Sequence, residues 1–164
     1  MAILRLYDTM IRGLAVTGAA SLGFITLLIA YGVASRNLAL PALRWSSAVV
    51  EYMLLFSTML AGPWLVRNGG HVAVTAIVDL LPAGLRTIAA RAVLIVSAAT
   101  LFLLSVVAGQ LTLEQFASGS TDIRSVPLPG WILYAMLTLG FLLMATEFLR
   151  LLIRGETYSG EGGH

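Results

Sequence analysis

The 164-residue chain is 59% apolar and 11% charged, against about 45–50% and about 25% for an ordinary soluble domain. With a mean hydropathy of +0.92, it carries more apolar surface than a water-soluble fold can hide, so lipid must cover the rest. Its ten basic residues are all arginine. They stand one or two at a time at the ends of apolar runs, where they anchor helices and form no nucleic-acid surface. The absence of cysteine excludes disulfide scaffolds, thiol catalysis and iron–sulfur ligation.

The predicted fold is all-α and integral to the membrane: one domain over residues 1–164 with four transmembrane helices. The first span, 13–35, carries no charge and is longer than the 7–15 apolar residues of a signal peptide, so it reads as a retained anchor. Ala15, Ala19 and Gly23 recur at four-residue spacing beside a second ridge of Gly13, Thr17 and Ser21. Such ridges let helices approach closely, either within this bundle or against a partner.

The second span, 45–66, is interrupted only by Glu51. An ionisable residue inside a span is a functional candidate by default. Glu51 follows Trp45 by six residues, about 9 Å along a helix, within reach of interfacial water or Arg44. Arg67-Asn68-Gly69-Gly70-His71 comes next; its glycines end the helix and permit a sharp turn. No second histidine, cysteine or acidic cluster accompanies His71, so it reads as a hydrogen-bonding or headgroup residue. Val74, Ile77, Val78 and Leu81 recur at helical spacing, with Thr75 and Asp79 opposite. This predicts an interfacial helix over 72–81, after which Pro82 opens a new helix.

The third span, 92–113, has no charge, and Glu114 is its solvated end. Residues 114–130 read as a polar crossing with a stiff, proline-rich exit. In the fourth span, 131–152, Glu147 and Arg150 share a face and suggest a snorkelling ion pair at the membrane edge. Trp45, Trp131 and Tyr134 fall at predicted interfaces. Residues 155–164 form a flexible tail. Seven arginines fall on the side of the termini and three on the other, which puts both termini in the cytoplasm. No serine–histidine–acid set, paired carboxylates or metal cluster is visible. The expectation is a non-enzyme with no cofactor in this chain.

The order of these features resembles one family. Glu51 and Leu60-Ala61-Gly62 lead into Arg67-Asn68-Gly69-Gly70-His71-Val72-Ala73-Val74. Then come Leu80-Leu81-Pro82 and Arg86, and later Pro127, Trp131, Tyr134 and Leu139-Gly140-Phe141. Over roughly residues 10–154 this is similar to the small permease (Q) subunit of tripartite ATP-independent periplasmic (TRAP) transporters. It departs from the family pattern at Thr75, at Ala61-Gly62-Pro63 and at Thr138.

The resemblance implies a bacterial inner-membrane complex. In it a large permease subunit carries organic acid and sodium, and a periplasmic substrate-binding protein delivers the acid. The small subunit braces the large one and works within the lipid bilayer, with no nucleic acid. Glu51, Arg67, Gly70, His71 and Trp131 are the expected partner or interface residues. Two alternatives stand beside it. One is a self-sufficient four-helix transporter that exchanges protons through Glu51, as small multidrug antiporters use a single membrane glutamate. The other is a membrane organiser without transport.

Overall fold

The computed structural model describes residues 2–38, 45–68, 82–122 and 128–154. They form helices α1 (Ala2–Asn37), α2 (Ser46–Arg67), α3 (Ala83–Ser118) and α4 (Gly130–Arg154). Between α3 and α4, the two-residue strands β1 (Thr121–Asp122) and β2 (Leu128–Pro129) pair antiparallel. All four helices are long and apolar enough to cross a membrane.

Helices α1, α3 and α4 overrun the predicted spans. α1 and α3 each have 36 residues, about 54 Å at 1.5 Å per residue. Asp8 and Arg12 lie inside α1, and Glu114 inside α3. A charge ends a hydropathy run without ending a helix, because the backbone bonds continue through it. Part of the expected polar crossing is therefore helical. α3 stops at Gly119, whose φ of +61° is a conformation glycine adopts without steric cost. The Gly130 amide then donates to the Ser120 carbonyl at 3.0 Å, which ties the two ends of the connection together. Pro82 stands at the N-cap of α3, where a new helix was expected to open. The predicted interfacial helix 72–81 and tail 155–164 lie outside the described residues.

The extensive pairings are α1 with α2, α2 with α4 and α4 with α3. Among the described residues the helices therefore stand in a row, α1–α2–α4–α3. Such a row leaves two broad faces. Side chains such as Leu27, Phe102, Leu103 and Ile153 are more than half exposed there.

α1 meets α2 through one narrow seam. Tyr7, Ile11, Leu14, Gly18, Ser21, Ile25, Leu28, Gly32 and Ser35 are buried or half-buried. Their alternating steps of four and three are the repeat of a coiled-coil contact. The seam is unusually small and polar at its middle and far end. A Cβ on Gly18 would lie 3.0 Å from the Ser57 carbonyl oxygen, and the hydroxyls of Ser21 and Ser57 hydrogen-bond across the crossing. In lipid there is no hydrophobic drive to bring helices together, so close backbone approach and hydroxyl bonds do so instead. Of the two small-residue ridges, Ser21 joins the seam, whereas Ala19 and Gly23 are exposed and a Cβ on Gly23 would meet nothing within 4 Å.

α2 and α4 interlock by two reciprocal knobs. Met144 lies over Gly62, and Met59 lies over Gly140. α3 joins α4 where Ser105 donates to the Thr138 carbonyl at 3.0 Å and where Phe116 meets Trp131 edge to face at 5.9 Å. On the outer faces, Thr17, Thr26, Thr58 and Thr100 each donate to a carbonyl four residues back in their own helix. Outward hydroxyls are thereby closed on their own segment, as a lipid environment requires.

Candidate functional site

The start of α1 and the ends of α2 and α4 come together at one end of the row. Each brings charge. Arg67 occupies the last turn of α2, where a cation complements the helix C-terminus. Its guanidinium makes a two-pronged contact with Glu147, Nε to Oε2 at 3.1 Å and Nη2 to Oε1 at 2.9 Å. This planar fork is the geometry that arginine and carboxylate share. The third nitrogen of Arg67 reaches Asp8 at 3.0 Å. Arg150 closes the figure, 3.3 Å from Glu147 and 3.6 Å from Asp8.

The result is a closed quartet of alternating sign: Asp8, Arg67, Glu147, Arg150. Its formal charges cancel. Tyr7 lies against it, with the Arg150 and Arg67 guanidinium carbons 4.7 Å and 5.6 Å from its ring centroid. Cations favour an aromatic face in this way. The Thr146 hydroxyl donates to the Leu143 carbonyl at 2.7 Å. It lies 3.2 Å from the Tyr7 hydroxyl, within hydrogen-bond distance. Immediately inward, Val66, Leu94, Phe148 and Leu151 form a packed apolar cluster that joins α2, α3 and α4.

Burial decides which member matters most. The Glu147 side chain is 3% exposed, those of Arg67 and Arg150 are 22%, and that of Asp8 is 43%. Glu147 is thus the chemical centre, and Asp8 is the wet edge. The expected snorkelling pair of Glu147 and Arg150 exists, but it does not point outward. α2 supplies a second arginine on the inner side, and the carboxylate turns in to meet it.

The predicted site residues do not gather in one place. Glu51 is exposed in the second turn of α2, about 24 Å along that helix from Arg67. It borders a recess of about 330 Å³ with Arg36, Gly32, Ser46 and Ser47. Trp131 stands in the first turn of α4, packed on Phe116, and so belongs to the end opposite the quartet. Of the five, only Arg67 is in the quartet. Gly70 and His71 lie outside the described residues.

Among the described residues the buried acid is Glu147 and not Glu51, although Glu51 was the acid placed well inside a predicted span. Tyr7 and Asp8 escaped the sequence reading because they precede the first charge-free run. The spacing of Asp8 and Arg12 by one helical turn could have indicated that the helix extends backwards. Among the described residues no three His, Cys, Asp or Glu side chains gather to hold a metal ion, and no buried side-chain nitrogen or oxygen lacks a hydrogen-bond partner. The arrangement can brace three helices. It offers no unpaired buried charge to a substrate.

The family sequence model described as "Tripartite ATP-independent periplasmic transporters, DctQ component" matches residues 25–157. That range includes Glu51, Arg67, Trp131, Glu147 and Arg150, and leaves out Tyr7 and Asp8. No curated protein matched the chain.

Proposed function

Because this chain belongs to the DctQ family of TRAP transporters, a family of multi-pass membrane transport subunits and not of enzymes, we propose that it is the bracing subunit of a sodium-coupled importer of organic acids. It pairs with a large permease subunit in the bacterial inner membrane. A periplasmic substrate-binding protein delivers a dicarboxylate or sugar acid, and substrate and sodium are handled by the large subunit. This chain binds no cofactor.

The observation that carries this reading is the contrast between the row's interior and its surface. Its buried charges are neutralised within the quartet, while broad apolar faces remain on the outside. A carrier of an organic anion needs groups free to take it, such as an unpaired buried cation or an open helix N-terminus. A brace needs a rigid frame and a surface for its partner. The arginine distribution supports an orientation with both termini, and therefore the quartet, on the cytoplasmic side. A reporter fused after His164 should score cytoplasmic.

The direct test is purification of the full chain in mild detergent, with co-purifying proteins identified by mass. A stoichiometric multi-helix permease is the expected result. Recovery of this chain alone, with proton flux in liposomes abolished by Glu51→Gln, would overturn it. In the whole complex, replacing Glu51 or His71 should weaken assembly or uptake and leave the choice of substrate unchanged.

A further inference from the structure

A groove of about 690 Å³ opens between α1 and α2 on the flank of their seam. Its walls include Ala15, Ala19, Leu22 and Trp64, and Arg12 and Asn68 stand at its polar end. The quartet beside it is neutral and self-satisfied. Arg12 is different. Among the described residues it has no ion-pair or hydrogen-bond partner, and it is exposed. Asp8, one turn before it, faces Arg67 and Arg150 instead.

We infer that this groove holds one anionic phospholipid, with its phosphate on Arg12 and an acyl chain laid along the wall towards Leu22. Charge selects this occupant: the polar end carries Arg12, which no described acid pairs, beside Arg67 of the neutral quartet, and the remaining wall is apolar. Arg12 to Leu22 is ten residues, about 15 Å, the reach of one acyl chain into a hydrocarbon core about 30 Å thick. The alanines set the depth of the groove, and Trp64, 39% exposed, stands in its wall. The inference rests on the membrane-spanning reading and not on the pairing with a large subunit, so failure of the co-purification would leave it standing.

Trp64 provides the readout. The full chain carrying Trp45→Phe and Trp131→Phe keeps Trp64 as its sole tryptophan. It is placed in nanodiscs of phosphatidylcholine and phosphatidylglycerol in which one species is brominated, and quenching of Trp64 is recorded. Brominated phosphatidylglycerol should be enriched at Trp64 by about fivefold over its bulk share, the worth of one basic residue at an anionic surface. Arg12→Gln should remove that enrichment and Arg12→Lys should keep it. Arg91→Gln, an exposed arginine on α3 at the far end of the row, should leave it unchanged. Equal quenching by the two lipids would overturn the inference, as would enrichment that survives Arg12→Gln. So would a Trp64 quenched by neither lipid, which would mean that a protein segment or a second copy fills the groove.

Discussion

Replacing Glu147 by leucine removes the centre of the quartet. Arg67 and Arg150 then share only Asp8, whose side chain is 43% exposed. Breaking a buried pair by deleting one partner costs about 3–5 kcal/mol, because an uncompensated charge stays behind. For a chain of this size about 2–4 °C of midpoint accompanies each kcal/mol, so the expected fall is roughly 6–20 °C. Arg67→Met leaves Glu147 with Arg150 alone, 3.3 Å away, and should cost part of that amount. The double variant, Arg67→Met with Glu147→Leu, removes one charge of each sign. It leaves Asp8 with Arg150, already 3.6 Å apart. An apolar pair of similar volume often replaces a buried ion pair without loss, so the double variant should melt above both singles and near the unmodified chain. The assay is the surviving monodisperse fraction after heating in mild detergent, read by size exclusion. A Glu147→Leu chain that melts with the unmodified one would refute the buried-centre argument. A double variant no better than the worse single would refute the coupling.

Other consequences can be read in the same assay. Asp8→Asn touches the exposed edge and should cost under about 1 kcal/mol, well below Glu147→Leu; equal losses would mean that burial does not rank the quartet. A Cβ on Gly140 would come within 2.8 Å of the Met59 Cβ, whereas at Gly62 its nearest neighbour is the flexible end of Met144. Gly140→Ala should therefore cost about 1–3 kcal/mol by overpacking and Gly62→Ala less, with Met59→Ala rescuing the former. Gly18→Ala should loosen the α1–α2 crossing, where a Cβ meets the Ser57 carbonyl oxygen at 3.0 Å. Gly23→Ala meets nothing within 4 Å and should be neutral or slightly stabilising, because alanine is the better helix former. If the two glycines behaved alike, the assigned seam would be wrong.

Length and composition by themselves determined that the chain is a set of long apolar helices, and how many. A backbone in lipid must satisfy its own hydrogen bonds, so a run of some twenty apolar residues has one solution whatever its side chains. The Pro82 restart and the pairing of Glu147 with Arg150 were local and legible; the stop of α3 at Gly119 was not, because the charge at Glu114 ended the apolar run before the helix ended. The spatial order of the helices and their inner faces were not. A soluble helix marks its buried side with an apolar stripe. α1 instead turns Gly18, Ser21, Gly32 and Ser35 inward and leaves Phe24 and Leu27 outside, because lipid is as apolar as leucine and hydropathy no longer distinguishes inside from outside. The quartet joins residues 8, 67, 147 and 150. Only the row α1–α2–α4 brings these distant positions to one end of the membrane, and so only the tertiary structure made Glu147 the buried acid and left Glu51 exposed.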